Sequence, residues 1–338
     1  MNIQTPYLLF LGDAEEILSL KVAKGIVDWR PGLAVGELGL AECTVTLGLE
    51  SLTLDEARRR GAKTFVVGMN NAGGTISRQW VPAILDALRA GFDIASGLHA
   101  RLGEIAEIAD EAKRTGGRLI DVRHSETKLT TGNGARRFGK RLLTVGTDCS
   151  VGKMYTSLAL EKEMRSRGCE ADFIATGQSG IFIAGKGIAV DCVISDFISG
   201  AVEQLSPDNG TQHWDVIEGQ GSLFHPAFAG VSLGLLHGAQ ADALVLCHAE
   251  NRRHMRGMRA HRLPGLRETM ETNLQAARLT NADARFVGIA VNTSELSDGD
   301  SRAVLEQYED EFELPCVDPV RAGVASVVDR IVELWPQG

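Results

Sequence analysis

The chain has 338 residues, which is long for a single hydrophobic core, so its length predicts two domains. A formal net charge of −9 disfavours non-specific attachment to nucleic acid or to anionic membranes, and an aromatic content of 5% leaves few rings for stacking on bases. The six cysteines are scattered without a CxxC pair, and no apolar run approaches the length of a membrane helix, so we expect a cytoplasmic homo-oligomer that binds small molecules.

Short apolar runs alternate with amphipathic segments through the first half of the chain. Thr53 and Glu56 form a capping box that predicts the start of one helix, and residues 81–91 have helical apolar spacing before a glycine. The buried strands predicted between such helices are YLLFLG (7–12), TFVVGM (64–69), FDIASGL (92–98) and RLIDVR (118–123). This order predicts a Rossmann-like domain over residues 1–130, although GDAEE follows its first strand in place of a dinucleotide fingerprint.

A polar, glycine-containing segment separates this half from a second alternation of strands and helices. Residues 127–140 have no apolar periodicity and predict a linker, after which residues 140–338 form the second domain. Its predicted strands are RLLTV (141–145), ADFIAT (171–176), WDVIE (214–218), ADALVLC (241–247), RFVGIAV (285–291) and PCVDP (315–319). The fold class expected for the chain is α/β with two parallel-sheet domains, the second a three-layer α/β/α domain that resembles P-loop NTPases.

The segment GTDCSVGKM (146–154) follows a predicted strand and precedes a predicted helix, as a phosphate-binding loop does. Backbone N–H groups would wrap the phosphates and Lys153 would add charge, whereas a plain turn with a solvated lysine is the alternative. Met154 stands where such loops carry a magnesium-binding hydroxyl, and Thr156, two residues on, would point elsewhere on the helix. Phosphate binding is therefore expected without metal-assisted phosphoryl transfer. The residues expected to bind the phosphate-bearing ligand are Gly146, Thr147, Asp148, Cys149, Ser150, Val151, Gly152, Lys153, Met154 and Tyr155.

Three further segments place polar side chains at predicted strand ends. In the run WDVIEGQGSLFHP (214–226), Glu218 ends a predicted strand, so its carboxylate is expected to face the ligand crevice, although a glutamate that caps a loop is the alternative. For His225, a catalytic role and a packing role are both compatible with the sequence. The segment TGQSGIFIAGKG (176–187) is expected either to bring its backbone close to a ligand or to form a flexible surface loop. The segment GMNNAGG (68–74) could likewise contact a ligand or simply form a loop. The substrate contacts predicted in these segments are Gln178, Ser179, Gln220, Asn70 and Asn71.

Six arginines lie between residues 252 and 267 without an acidic residue among them. The cluster follows the strand ADALVLC and can supply cationic clamps for carboxylate or phosphate, although a solvated helix face is the alternative. Arg252 and Arg253 are the predicted substrate-binding members of this cluster. No HExxH or comparable spacing of histidines occurs, so we expect no metal.

Four motifs in chain order, GTDCSVGKM, TGQSGIFIAGKG, VIEGQGSLFHP and LCHAENRRHM, resemble a two-domain family whose characterised member is a D-glutamate N-acetyltransferase. The phosphate loop is also similar to that of dethiobiotin synthetase. The resemblance implies a Rossmann-like domain followed by a P-loop domain, and transfer of an acetyl group from acetyl-CoA to the amine of D-glutamate. Residues 146–155 would then hold the phosphates of acetyl-CoA, for which no magnesium is needed.

Under this resemblance, Glu218 is the first candidate for the base that deprotonates the amine, His225 the second and Asp148 the third. Arg252 and Arg253 would orient the two substrate carboxylates. The alternatives are a kinase or ligase that uses ATP and magnesium, as dethiobiotin synthetase does, and a regulatory module that binds nucleotide without turnover. An NAD-dependent epimerase is disfavoured because neither GxGxxG nor a Tyr-x-x-x-Lys pair is present.

Overall fold

The computed structural model describes residues 3–124 and 127–336 and divides into two compact units. The first unit is formed by the chain up to Thr127 together with Gly177–Cys192, and the second by Lys128–Thr176 together with the chain from Val193 onward. The division predicted from the sequence is linear, whereas residues 177–192 leave the second half and join the first unit. As a boundary between domains, the segment 127–140 stays a prediction.

Strands and helices alternate along the described residues. The strands are β1 (Tyr7–Gly12), β2 (Ala34–Gly39), β3 (Thr64–Val67), β4 (Asp93–Ser96), β5 (Leu119–Asp121), β6 (Lys140–Gly146), β7 (Ala171–Ile174), β8 (Trp214–Ile217), β9 (Ala243–Ala249), β10 (His254–Met255), β11 (Met258–Arg262), β12 (Arg285–Asn292) and β13 (Cys316–Val317). The α-helices are α1 (Lys21–Trp29), α2 (Leu54–Arg59), α3 (Val81–Arg89), α4 (Ala106–Thr115), α5 (Lys153–Ser166), α6 (Gln178–Ala184), α7 (Ile198–Leu205), α8 (Ala229–Ala239), α9 (Leu266–Arg278), α10 (Asp298–Phe312) and α11 (Ala325–Leu334).

The first unit is built on a parallel sheet of five strands in the order β2-β1-β3-β4-β5. Every residue of β1 is buried, as expected for a strand covered on both faces. The predicted capping box is present: Thr53 accepts a bond from the backbone of Glu56, whose side chain accepts one from the backbone of Thr53. These features confirm the predicted Rossmann-like layering.

The glycine-rich segment that follows β7 forms a helix over Gln178–Ala184, so the interpretation as a flexible surface loop is wrong there, while ligand contact by Gln178 and Ser179 stays a prediction. Helix α6 packs on α1 of the first unit and buries Ile181, Phe182 and Ile183. The hydroxyl of Tyr7 in β1 donates to the backbone oxygen of Phe182 at 3.2 Å. Burial of this apolar run explains why it is helical despite its glycines.

The second unit is built on a parallel sheet of six strands in the order β13-β12-β9-β6-β8-β7. All seven residues of β9 are buried, because helices cover both faces of the sheet. The chain moves from β6 outward to β7, returns through β8, and then crosses to β9 on the other side of β6. Ligands of doubly wound sheets bind at such a reversal, beyond the carboxyl ends of the strands.

The arginine-rich segment after β9 forms a short antiparallel hairpin, β10 and β11, so the solvated helix face considered from its charge is wrong there, while its role as a cationic clamp stays a prediction. Strand β2 of the first unit was also not predicted from the sequence. Across residues 3–124 and 127–336, none of the helices combines the length and the hydropathy that a membrane span requires.

Candidate functional site

The phosphate loop joins β6 to α5, at the reversal of the second sheet. Ser150 and Gly152 have φ values of 52° and 108°, a left-handed conformation that glycine adopts without strain and serine does not. The backbone N–H of Thr147 donates to the oxygen of Cys247 in β9 at 3.1 Å, which ties the start of the loop to the neighbouring strand. The loop is therefore a tight connection between a buried strand and a helix N-terminus, which is a geometry that binds anions.

Lys153, the first residue of α5, is almost fully buried beneath this loop. Its Nζ donates to the backbone oxygen of Asp148 at 2.7 Å. A methyl group at Gly146 would lie 3.1 Å from Nζ, and one at Gly219 would lie 2.9 Å from Cδ, so both glycines make room for the side chain. Burial lowers the pKa of Lys153, and the carboxylates of Asp148 and Glu218 oppose that shift.

The Thr156 hydroxyl does not replace the one that Met154 lacks at the start of α5. The Thr156 hydroxyl donates to the backbone oxygen of Gly152 at 3.0 Å and accepts from the Cys247 thiol at 3.4 Å. It is therefore directed to β9, and the sequence-based rejection of Thr156 as a magnesium ligand agrees with this orientation.

Glu218 lies just beyond the carboxyl end of β8 and is buried, with 5% of its surface exposed. One carboxylate oxygen accepts from the backbone N–H of Thr176 at 3.0 Å, and the Thr176 hydroxyl donates to the backbone oxygen of Glu218 at 2.5 Å. Gln220 joins this group by donating from Nε2 to the Thr176 hydroxyl at 3.2 Å. These bonds fix the Glu218 carboxylate close to Lys153.

Asp148 and Arg252 clamp the phosphate loop. One carboxylate oxygen of the fully buried Asp148 accepts from Arg252 Nη1 at 2.9 Å and from the backbone N–H of Arg256 at 2.8 Å. Arg252 also donates to the backbone oxygens of Cys149 at 2.5 Å and Ser150 at 3.0 Å. The guanidinium predicted to bind substrate carboxylate is thus bonded to the loop itself.

His225, the second candidate base, has both ring nitrogens engaged. Nδ1 accepts from the backbone N–H of Ala227 at 3.2 Å, so a neutral ring carries its proton on Nε2 and donates it to the backbone oxygen of Arg256 at 3.2 Å. The ring is 1% exposed and packs on Phe228 with 4.6 Å between ring centres. In this arrangement His225 is hydrogen-bonded to the backbone of the hairpin segment at Arg256.

Asp148, Cys149 and His225 form a group whose potential metal-ligating atoms lie within 4.8 Å of one another. The group does not suit a cation, because Arg252 already supplies positive charge to the Asp148 carboxylate and Nε2 of His225 acts as a donor. Burial also raises the pKa of the Cys149 thiol, which disfavours the thiolate that a metal requires.

A cavity of about 530 Å³ lies beyond the carboxyl end of β9, and beside the predicted Arg252 and Arg253 its lining includes residues that the sequence analysis did not single out. His248 lies in β9, and its Nδ1 is 3.0 Å from the Thr147 hydroxyl of the phosphate loop. Its Nε2 is 3.7 Å from a Glu250 carboxylate oxygen, which accepts from the Tyr308 hydroxyl at 2.7 Å. The sequence signal was HAE directly after an apolar strand, the position from which parallel sheets present ligand-binding side chains.

The arginines that line the cavity come from the hairpin segment and include Arg252, Arg253 and Arg262. Arg253 is exposed to the cavity, in contrast to the loop-bound Arg252. Burial lowers the pKa of His248, and Arg252 and Arg253 act in the same direction while Glu250 opposes them.

The remaining predicted substrate residues belong to the first unit. Asn71 donates from Nδ2 to the backbone oxygen of Thr75 at 2.8 Å and accepts from its N–H at 3.0 Å, so its amide closes its own loop. The backbone N–H of Asn70 donates to Ser19 at 2.6 Å. Gln178 and Ser179 begin α6. With the Gln178 amide turned so that its oxygen faces the Arg123 guanidinium, that oxygen accepts from Arg123 Nη2 at 3.0 Å.

Comparisons with known proteins cover both units. Residues 128–328 match a family model described as a domain of unknown function, the DUF1611 P-loop domain, and residues 41–125 match the DUF1611 Rossmann-like domain. A curated protein of Pseudoalteromonas named D-glutamate N-acetyltransferase is 55% identical over 331 residues, which span 98% of this chain and 100% of that protein. A protein of the same name from Tritonibacter scottomollicae is 50% identical over 329 residues, which span 97% of this chain and 99% of that protein.

A crystal structure of a DUF1611 family protein from Anabaena variabilis has the same fold over nearly the full length. It superposes with a TM-score of 0.88 at 29% sequence identity, covering 98% of this chain and 100% of that one. The two family models place the Rossmann-like domain before the P-loop domain, and each of the three relatives matches at least 97% of this chain. The chain therefore belongs to the DUF1611 family, with a Rossmann-like domain followed by a P-loop domain.

Proposed function

We propose that this protein is a D-glutamate N-acetyltransferase, which moves the acetyl group of acetyl-CoA to the amino group of D-glutamate. The observation that carries the proposal is 55% identity, over the full length of a relative, to a protein that bears this name. The agreement of a second relative at 50% identity supports it.

We propose further that the phosphate loop binds acetyl-CoA through the phosphates of its coenzyme. The coenzyme carries a diphosphate and a ribose phosphate that are held during transfer and are not cleaved. A loop that only holds them needs backbone N–H groups and the ammonium group of Lys153, and has no use for a magnesium-binding hydroxyl at position 154. The substitution by Met154 is compatible with this use, and we expect activity without metal.

In the transfer, the amino nitrogen of D-glutamate attacks the thioester carbon, the new C–N bond forms, and the C–S bond breaks to release the coenzyme thiolate. The attacking ammonium loses two protons. One ends on the thiolate sulfur and the other passes to a base and then to water. Glu218, His225 and Asp148 stay predictions for that base, with Glu218 first because its carboxylate lies beside the loop.

For the substrate carboxylates, the exposed Arg253 is a better candidate than Arg252, because Arg252 is bonded to Asp148 and to the loop. Gln220 is bonded to Thr176 beside Glu218, within the second unit. Contacts from Gln178, Ser179, Asn70 and Asn71 of the first unit also stay predictions.

The decisive experiment is incubation of the purified protein with acetyl-CoA and D-glutamate, without added metal or ATP, while release of free thiol is followed. The controls are L-glutamate and a mixture without amine. We expect thiol release that requires D-glutamate and continues in EDTA. Absence of release, together with formation of ADP when Mg-ATP and a carboxylate substrate are supplied, would favour the kinase or ligase alternative.

The role of Glu218 is tested by E218Q, which removes the negative charge and keeps the size of the side chain. If Glu218 is the base, kcat falls by about 10²-fold or more while the KM for acetyl-CoA is unchanged. If its carboxylate mainly balances the charge of Lys153, the KM for acetyl-CoA rises instead. The two parameters, measured at saturating D-glutamate and at saturating acetyl-CoA, separate these roles.

We also propose a cytoplasmic location and a homo-oligomeric state. All six cysteines are free thiols, as in proteins of a reducing compartment. Phe138, Leu279 and Val320 are large apolar side chains with 71%, 77% and 73% of their surface exposed in the single chain, which supports burial by a second copy. Light scattering coupled to size-exclusion chromatography tests the oligomer, and a mass near 36.3 kDa would contradict it.

A further inference from the structure

The cavity beside the phosphate loop carries charges complementary to those of a dicarboxylic amino acid. The cationic side chains in its lining include Arg253 and Arg262, whereas the positive charge of Arg252 is matched by Asp148. Glu250 supplies negative charge on the β9 side. Glutamate at neutral pH has two carboxylates and one ammonium group, so two arginines and one glutamate reverse its charges.

The hairpin segment brings the two arginines into the lining of one cavity. Strands β10 and β11 pair His254 with Arg262, and the backbone N–H of Leu263 donates to the oxygen of Arg253 at 3.1 Å. Leu266, the first residue of α9, and the N-cap Gly265 also line the cavity, so the positive end of a helix of 13 residues borders the same space. A volume of about 530 Å³ lies within the usual range for sites that bind small molecules.

His248 and Glu250 lie together in the lining of the cavity, with 3.7 Å between His248 Nε2 and a Glu250 carboxylate oxygen. Tyr308 of α10 holds the Glu250 carboxylate by a bond of 2.7 Å, and Thr147 holds the His248 ring through Nδ1 at 3.0 Å. When Nδ1 donates to the Thr147 hydroxyl, the lone pair of the ring is on Nε2, which lies 3.7 Å from a Glu250 carboxylate oxygen. An ammonium group bound to Glu250 would thus be within reach of Nε2.

We propose that this cavity binds the amino-acid substrate, with Arg253 and Arg262 on its two carboxylates, Glu250 on its ammonium group, and His248 as the residue that removes a proton from that group. The proposal rests on the acetyltransferase function proposed above and differs from the assignment of Glu218 as the base. Thr147 is then a positioning residue, because it acts on substrate only through His248. It also joins this site to the phosphate loop that would hold acetyl-CoA.

The protons released in the transfer pass between the bound substrates, His248 and water. Nε2 of His248 takes one proton from the ammonium group, which frees the nitrogen lone pair to attack the thioester carbon. The second proton leaves the nitrogen after the C–N bond forms and ends on the sulfur of the departing thiolate. The imidazolium of His248 then loses its proton to water, so the net products are the amide, the free thiol and one proton.

A neutral imidazole is required for this step, and the surroundings of His248 favour it. Burial lowers its pKa, the charges of Arg252 and Arg253 lower it further, and Glu250 acts in the opposite direction. The other polar groups around it are Thr147 from the loop, Tyr308 from α10, and His254 and Arg262 from the hairpin. At neutral pH the ring is therefore ready to accept a proton.

The first test compares R262Q with R259Q, an exposed arginine on the same hairpin that does not line the cavity. We expect R262Q to raise the KM for D-glutamate by about 10-fold or more, with the KM for acetyl-CoA unchanged, because one charge-assisted bond to a carboxylate is lost. R262Q should also lose discrimination between D-glutamate and D-glutamine, while R259Q keeps both wild-type values. An unchanged KM and unchanged discrimination in R262Q would overturn the carboxylate assignment.

The second test is the pH dependence of kcat/KM for D-glutamate in the wild type, H248Q and E218Q. The wild type should lose activity on acidification with an apparent pKa below the ordinary histidine value of about 6.5. H248Q should lose about 10²-fold or more in kcat and should lack this acidic limb. H261Q on the exposed face of β11 is the matched control and should behave as the wild type.

These outcomes separate the present inference from the proposed function. A wild-type protein that releases no thiol with D-glutamate would refute the acetyltransferase proposal itself. An active wild type in which H248Q retains kcat and the acidic limb, while E218Q loses them, would overturn only the assignment of His248. E250Q gives an independent check, since it should raise the KM for D-glutamate without affecting the KM for acetyl-CoA.

Discussion

Arg252 and Arg253 are neighbours in the sequence but have different surroundings in the structure. Arg252 is half-buried and bonded to Asp148 and to two backbone oxygens of the phosphate loop. Arg253 is exposed in the lining of the cavity. Their predicted common role, binding the substrate carboxylates, therefore divides into positioning of the loop and contact with the substrate.

We expect R252Q to raise the KM for acetyl-CoA and R253Q to raise the KM for D-glutamate. Removal of the Arg252 guanidinium also leaves the buried Asp148 carboxylate without its ion-pair partner, which should lower the free energy of unfolding by about 2–4 kcal/mol. Steady-state kinetics with each substrate varied in turn, together with urea denaturation, measure these effects. Equal changes in both KM values for both variants would contradict the division of roles.

Lys153 should give acetyl-CoA binding a dependence on alkaline pH. Only the ammonium form attracts phosphate, and burial lowers the pKa of Lys153 below its ordinary value of 10.5, so affinity should fall as pH rises through that lowered pKa. K153M should bind acetyl-CoA at least about 10-fold more weakly and show no such alkaline loss. Calorimetric titration with CoA across pH checks this, with the exposed Lys186 as the matched control in K186M. Identical pH profiles for K153M and the wild type would exclude the role.

At the scale of elements, the pairing of β6 with β8 ends in a close approach of backbone at Gly219, just beyond β8. A methyl group there would lie 1.7 Å from the backbone oxygen of Thr144, which cannot move away without disturbing β6. We expect G219A to lower the free energy of unfolding by about 3 kcal/mol or more. In the control G230A, the new methyl group has open space in helix α8 and should be neutral or stabilising by up to about 1 kcal/mol. Equal unfolding midpoints for the two variants would contradict this account.

Elements with clear apolar runs were predictable from the sequence, and those whose burial depends on distant contacts were not. Strand β2 has two glycines and Glu37, whose buried carboxylate accepts bonds from Thr46 at 2.5 Å and Leu47 at 3.0 Å. Because hydrogen bonds from a loop satisfy this buried charge, the strand itself carries no local sequence pattern that marks it as buried. Helix α6 was hidden in the same way, because its glycines indicate a loop until the surface of α1 is present.

In the candidate site too, only the residues with a local sequence pattern could be predicted. The phosphate loop and Glu218 were identified because glycines and a carboxylate at strand ends carry a local signature. The cavity-lining Glu250 and Tyr308 lie 58 residues apart and meet through one hydrogen bond, so spacing could not connect them. His248 carries only the local signal of a polar residue at the end of an apolar strand, which does not distinguish it from a core histidine without the neighbouring loop.

For the whole molecule, the chain leaves the second unit at Gly177, contributes α6 to the first, and returns at Val193. The first unit therefore lacks one of its helices until residues well beyond the phosphate loop have been added. This connectivity makes the stability of the first unit depend on the sequence of the second half. It also means that cutting the chain at any single point between α1 and α6 places these two packed helices on separate fragments.

We expect F182A to destabilise the first unit selectively, although Phe182 lies in the second half of the sequence. Its side chain is fully buried, and truncation of a buried phenylalanine costs about 3–5 kcal/mol. Hydrogen exchange of the intact chain should therefore rise in Tyr7–Gly12 and Lys21–Trp29, which contact α6, and remain slow in Ala243–Ala249. L235A, which truncates a buried leucine of α8, is the matched control and should raise exchange in the second unit. Faster exchange in β9 with unchanged protection of β1 in F182A would show that α6 belongs energetically to the P-loop domain, and the interleaved division of the chain would have to be abandoned.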